Sequence, residues 1–305
     1  MWLYYLLIRP LSLLPLRVLY GISALCYFLL RFLFGYRKKV LEGNLQRAFP
    51  ALGAEERTGL VRANYRHLSD LLAEGIKNLG IGKKELQERM QLENPELFED
   101  LYQKGKSVVL LSSHMENWEF FITAQAMLMP HRAFGIGKPL SQGFLNTKIN
   151  GLRERFGMRV IHAGNFREVL ERELPGTPLA VLTLLDQSPS PDNAYWTPFM
   201  GQTTAFAFGG EFMAHEYTMA VVYLRIEKRG RGYYKATAEL ICEDPSTQSY
   251  GTITDAYVQR LERDIRESPG AWLWTHKRWK HTPPKDLEAV QAAHRERFEK
   301  RFGKR

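Results

Sequence analysis

The chain has 305 residues, 45% hydrophobic and 25% charged, enough apolar material for one or two folded domains with a sizeable core. Its 42 lysines and arginines against 33 acidic residues leave a formal net charge of +9, which favours an anionic partner: a membrane surface, nucleic acid or an acidic carrier protein. Two cysteines, Cys26 and Cys242, supply neither a disulfide framework nor the spacing of a zinc or iron–sulfur site.

From the N-terminus, leucine and aromatic residues dominate Leu11 to Tyr36, a run that covers the roughly 20 residues a bilayer core requires. Arg17 and Arg31 lie near its ends, where long side chains reach headgroups while their stems stay in hydrocarbon. The start has neither a basic segment nor a small-residue cleavage site, so the run reads as a retained anchor and not as a removed signal peptide. A buried amphipathic hairpin is the alternative. Arg37, Lys38 and Lys39 place the following domain on the cytoplasmic side. The expected organisation is a membrane anchor over residues 1–40, a folded domain over 41–284 and a basic tail over 285–305.

Past the anchor, Val61, Tyr65, Leu68, Leu72 and Ile76 recur every three or four residues and predict an amphipathic helix. From Ser107 short apolar runs alternate with helical stretches: "SVVLLSS", "NWEFFITAQAML", "RAFGIG", "LNTKINGLRERFG", "MRVIHAG", "FREVLERE" and "PLAVLTLLD". Such alternation predicts βαβ units, hence an α/β fold with a mixed, mostly parallel sheet flanked by helices. "MAVVYLRIEKRGRGYYKATAELI" reads as two strands around a Gly-Arg-Gly turn, and "TITDAYVQRLERDIRES" as a helix ending at Pro269-Gly270. The basic tail from Lys285 reads either as a helix on a membrane surface or as a frayed end.

In an open α/β sheet ligands bind beyond the carboxyl ends of the strands, and "LLSSHMENWEFF" puts His114 at such an end with Glu119 five residues later. A carboxylate that holds an imidazole in one tautomer makes it a base for a hydroxyl. On spacing alone the bland reading competes: Ser112 or Ser113 caps the helix, and Glu119 complements its dipole. Asp186 ends a second apolar strand, while Lys138, Lys148, Arg153 and Arg155 between the two strand ends are candidates for phosphate or oxyanion contacts. There is no G-x-S-x-G elbow, Gly-rich phosphate loop or H-E-x-x-H. A histidine and an acid without an enzyme nucleophile suit direct transfer, in which the acceptor's own hydroxyl attacks. No DNA- or RNA-binding motif is present, so nucleic acid is not an expected partner.

In order, "NLQRAFP", "HMENWE", "LRERFGMRVI", "LLDQ" with "PFMGQTTAFAFG", and "PGAWLWTHKRWKHTPP" resemble the bacterial lipid A late acyltransferases. These are the lauroyl and myristoyl transferases within the lysophospholipid acyltransferase superfamily, and the likeness runs over about residues 1–284. The resemblance implies a glycerolipid acyltransferase-like fold with an N-terminal membrane-anchor helix, and His114 as general base with Glu119 as its partner. It also implies functional roles for Arg153, with Arg155 as competitor, and for Asp186; with Asn117 and Lys138 these are the expected substrate-binding residues. The implied reaction moves a fatty acyl chain from acyl carrier protein or acyl-CoA to a hydroxyl of a lipid A precursor, at the cytoplasmic face of the bacterial inner membrane, without metal or cofactor. Ser188 stands where an acidic residue is usual after "DQ", and "AFAFGG" replaces part of a threonine-rich stretch. Relatives of similar pattern acylate lysophospholipids, phosphatidylinositol mannosides or aminolipids, which leaves the acceptor open.

Two expectations are sharp enough to fail. His114 is expected within about 2.6–3.2 Å of Glu119 and facing an apolar pocket. Trp118, Phe120, Phe121, Phe199, Phe206 and Phe208 surround the site in sequence, although core packing is the better assignment for most of them. Trp272, Trp274 and Trp279, interleaved with His276, Lys277, Arg278 and Lys280, read equally as a membrane-interface or phosphate-binding cluster and as C-terminal packing.

Overall fold

The computed structural model describes residues 4–137 and 143–303. The N-terminal apolar run is divided among several helices. α1 (Arg9–Leu13) ends before Pro15, whose ring lacks the N–H that would continue it, and α2 (Leu16–Phe28) passes into a wider turn over Leu29–Leu33. α3 (Lys38–Ala48) and the 25-residue α4 (Ala54–Asn78) follow. Val61 and Tyr65 are buried as their spacing predicts, but Leu72 stays exposed, and apart from Ala73 the buried residues of α4's second half are polar: Ser69, Asp70, Glu74, Lys77 and Asn78.

Helix and strand then alternate: α5 (Lys83–Arg89) and β1 (Met90–Leu92); α6 (Glu96–Gln103) and β2 (Val108–Ser112); α7 (Trp118–Leu128) and β3 (Arg132–Gly137); α8 (Gly143–Arg153) and β4 (Arg159–His162); α9 (Phe166–Glu173) and β5 (Leu179–Leu184). A hairpin of β6 (Ala194–Phe199) and β7 (Gln202–Ala207) precedes α10 (Gly209–Tyr217), the long pair β8 (Ala220–Gly230) and β9 (Tyr233–Cys242), α11 (Thr252–Glu267) and α12 (Leu287–Phe302).

Seven strands form one sheet in the order β1-β9-β8-β2-β5-β3-β4. Every neighbouring pair is parallel except β8 and β9, which meet around Gly232 at φ +77°, so the mixed, mostly parallel sheet is as the alternation predicts. The separate β6–β7 hairpin turns at Met200 and Gly201, both at positive φ, and sequence reading had found only its turn. β2 is buried along its whole length because both sheet faces are covered. Val109 and Leu111 join the core beneath α3, α4, α10 and α11, whereas Val108 and Leu110 join the one beneath α5, α6 and α7. Gly210 allows the close approach of α10, since a Cβ there would stand 2.6 Å from Leu111 Cδ2 and 3.1 Å from Leu185 Cδ1.

The tail is not frayed. α12 docks through Phe298 against Phe208 and Tyr250, His294 bonds the Tyr250 hydroxyl at 2.6 Å, and Gln291 donates to the Trp196 carbonyl at 2.8 Å.

Candidate active site

His114 and Asp186 meet because their strands are neighbours. β2 and β5 pair in parallel with Ser112 opposite Leu184, so the residues two positions further on, His114 and Asp186, leave the sheet side by side. The Asp186 carboxylate, 2% exposed, accepts three hydrogen bonds. Oδ1 accepts from His114 Nδ1–H at 2.7 Å; Oδ2 accepts from the His114 backbone N–H at 2.8 Å and from the Trp272 indole N–H at 2.7 Å. Burial by itself raises a carboxyl pKa, but the neighbouring His114 and these donors hold Asp186 below its ordinary value. A carboxylate accepts only, so Nδ1 carries the proton and Nε2 presents its lone pair. The Gln187 side-chain amide sits 3.1 Å from that Nε2, and the Trp118 ring lies edge-on to the imidazole at 5.0 Å.

The expected contact between His114 and Glu119 is corrected by this geometry. Arg153 engages Glu119 bidentately, Nη2 to Oε1 at 2.5 Å and Nε to Oε2 at 3.1 Å. The reason lies in the loop. Met115 bridges Trp272, the Glu116 N–H donates to the Ala271 carbonyl at 3.2 Å, and Glu116 itself is left-handed at φ +49°. That path brings Trp118 of the first helical turn onto the imidazole; Glu119, about 100° further around the axis, turns to Arg153.

Asn117 was expected to bind substrate, but both ends of its buried amide are engaged. Oδ1 caps α7 by accepting from the Phe120 N–H at 2.9 Å, and Nδ2 donates to Glu74 at 2.6 Å. The cap is thus Asn117 and not Ser112 or Ser113; Ser112 Oγ donates to the Leu224 carbonyl across the sheet. Of the two arginines Arg153 is the one paired with Glu119. Arg155 bonds the Leu79 carbonyl at 3.3 Å and covers the Phe156 ring, its pKa lowered by burial and by Arg9. Lys148 lies over the rings of Tyr4, Tyr5 and Phe144, and Lys138 falls outside the described residues.

Phe120, Phe121, Phe199 and Phe206 are at most 1% exposed and serve as core. Two surface clefts, of 650 and 430 Å³, are lined around Pro191, Val290 and Lys300 and around Glu55, Gly59 and Arg66; neither includes a residue of the His–Asp pair. The apolar pocket expected in front of His114 is neither of these. Among the described residues no group of three or more His, Cys, Asp or Glu side chains could hold a metal ion.

The closing tryptophan segment is a buried strap. Trp272 and Trp274 are 2% and 0% exposed; Asn64 donates to the carbonyls of Gly270 and Trp272, and Asn44 to those of Trp274 and His276. Ser188, where an acid was usual, ties the loop after Asp186 to this strap: its N–H donates to His276 Nε2 at 3.1 Å and its hydroxyl to the Arg278 carbonyl. Sequence reasoning had not given Trp272, Gln187 or Glu74 a role at the site. The available signal was the position of Gln187 beside Asp186 and of Trp272 inside the closing signature.

A mostly parallel sheet with a carboxylate-held histidine at two adjacent strand ends is an α/β scaffold that presents one candidate site beyond its strands. The chain belongs to the bacterial lipid A biosynthesis acyltransferases, whose family model matches residues 1–281. It is therefore an acyltransferase. A comparison with curated proteins gave no match.

Proposed function

We propose that the protein moves a fatty acyl chain from a thioester donor, acyl carrier protein or acyl-CoA, to a hydroxyl of a lipid A precursor at the cytoplasmic face of the inner membrane. The observation that carries the mechanism is the 2.7 Å bond between His114 Nδ1 and Asp186. Nε2 takes the proton of the acceptor hydroxyl as its oxygen attacks the thioester carbonyl. Collapse of the tetrahedral intermediate breaks the carbon–sulfur bond, and the leaving thiolate recovers the proton from Nε2. Asp186 stays ionised and stabilises the transient imidazolium. Arg153, aimed by Glu119, binds an anionic group of substrate, so Glu119 acts through the arginine and not on the histidine. The chemistry so written needs no metal or cofactor. A chain with a formal net charge of +9 suits an acidic carrier protein and an anionic leaflet.

The test has two arms. His114→Ala is expected to abolish acyl transfer while leaving membrane association unchanged; full activity would remove His114 as base. Mass spectrometry of lipids from a strain lacking the gene is expected to show lipid A lighter by one acyl chain. A mass shift confined to lysophospholipids, phosphatidylinositol mannosides or aminolipids reassigns the acceptor.

A further inference from the structure

Leu16–Leu33 is long and apolar enough to cross a membrane, with a mean hydropathy of 1.6. Its packing is that of a helix lying on the catalytic body. Leu16, Leu19 and Ser23, on one face of α2, are buried; Leu16 and Leu19 pack with Ala73 and Ile76 of α4. Polar bonds join α4 to α2 and to the turn before it. The Tyr20 hydroxyl donates to Glu74 at 2.6 Å, Ser23 donates to Asp70 at 2.8 Å, and Lys77 donates to the Leu14 carbonyl at 3.2 Å. Arg231, from the β8–β9 turn, pairs with Asp70 at 2.6 Å and covers the Tyr20 ring at 3.9 Å. Tyr20 and Ser23 are the fifth and eighth residues of the apolar span. A spanning orientation would draw Asp70, Glu74 and Arg231 to hydrocarbon depth, where charged groups are costly.

The opposite face has no protein partner. Val18, Leu25 and Phe28 point away from the buried stripe and are 51%, 58% and 56% exposed. Of the 15 large apolar side chains exposed among the described residues, 11 lie between Tyr5 and Tyr36. Exposed cations accompany them, Arg17 inside the run and Lys38 and Lys39 just behind it.

We propose that the N-terminal helices lie in the plane of one anionic phospholipid leaflet, apolar face inward, and do not cross the bilayer. The proposal rests on the membrane association of the proposed function and specifies its geometry. Apolar area and flanking cations are the two terms that bind an in-plane helix to anionic lipid. The orientation has a consequence for the chemistry. Glu74, which holds Tyr20 of α2, also holds Asn117, the cap of the helix that follows His114. The anchor and the His114 loop therefore share one buried carboxylate, and the catalytic histidine stands at a set height above the leaflet that delivers the acceptor.

The test places an environment-sensitive fluorophore on single cysteines, Val18→Cys, Leu25→Cys and Phe32→Cys, in a Cys26→Ser background with the buried Cys242 left in place. The full chain is bound to phosphatidylglycerol–phosphatidylethanolamine vesicles, and depth is read by quenching from spin labels fixed at different levels of the acyl chain. All three positions are expected at one shallow depth, about 5–10 Å below the headgroups. Leu25 at the bilayer centre with Val18 and Phe32 at opposite surfaces overturns the in-plane orientation while leaving membrane association standing. Absence of quenching at every position, with acyl transfer retained, overturns both. Concentration-dependent shielding of the labels without vesicles assigns the face to a second copy of the chain and likewise overturns the proposal.

Discussion

Replacing Asp186 with asparagine leaves the shape of the site intact and reverses its hydrogen-bond logic. Three donors converge on the carboxylate: His114 Nδ1, the His114 backbone N–H and the Trp272 indole. An amide offers one accepting oxygen, so its NH₂ must face a donor unless the imidazole changes tautomer, with Nδ1 accepting and Nε2 protonated. A protonated Nε2 is no base. The variant also removes the charge that meets the imidazolium formed during transfer. Two unit charges about 4 Å apart at an effective dielectric of about 20 attract by about 4 kcal/mol, or roughly three decades of rate. General-base catalysis supplies about 10²–10⁴-fold, in agreement. Asp186→Asn should therefore lower kcat about 10³-fold with KM nearly unchanged, measured as initial rates of thiol release from a fatty acyl thioester with lipid acceptor. The folded pKa of Asp186 lies below its ordinary 3.8, so its stabilising contribution is present above that value and is lost only as pH falls through the lower folded value. At neutral pH that contribution is fully present, so Asp186→Asn also loses stability there, and kcat is compared under conditions where melting shows the variant folded. Glu119→Gln is the companion, expected to raise KM more than it lowers kcat because it frees Arg153. Activity of Asp186→Asn within threefold of the parent, together with an inactive Glu119→Gln, would refute the His–Asp assignment and restore the His–Glu pair.

Trp272→Phe keeps the ring but removes the N–H on Asp186, a bond to a charged group worth about 1.5–3 kcal/mol, so kcat should fall about tenfold and its acid limb shift upward; an unmoved pH profile leaves Trp272 a packing residue only. Burial pushes the Glu116 carboxyl from 4.5 up to about 7, so its contribution to stability is fully present below about pH 4.5 and lost as pH rises through 7. Glu116→Gln should accordingly match the parent's Tm at pH 4 and exceed it at pH 8, by up to about 3 kcal/mol in denaturant melts; equal gains at both pH values contradict that account. Gly210→Ala puts a methyl 2.6 Å from Leu111 and should cost about 1–3 kcal/mol of unfolding free energy, whereas a neutral result means that α10 has room to shift.

The strands and helices from Ser107 onward were legible because alternating short apolar runs and helical stretches are a local signal. Local too was the placement of His114 and Asp186 at strand ends, and the family resemblance supplied both residues with the Arg153 block. Which acid met the histidine was not local. Two further strands, β3 and β4, intervene in the chain before β5 returns beside β2, and only that return brings residues 72 apart to 2.7 Å. Glu119 was the natural choice from proximity in sequence, yet helical rotation and the pinned Glu116 loop turned it to Arg153.

Hydropathy is likewise silent about partners at the N-terminus. It registers that Leu16–Leu33 is apolar, but not that Tyr20 and Ser23 face carboxylates on α4. Trp272 and Asn117 are further cases, each a polar partner chosen by a neighbour far along the chain. By itself the sequence determined the α/β class and the strand-end positions of His114 and Asp186, since these follow from periodicity. The tertiary structure alone decided the pairings, because a hydrogen bond depends on which strands become neighbours and which way each helix is turned, and neither quantity is written in local spacing.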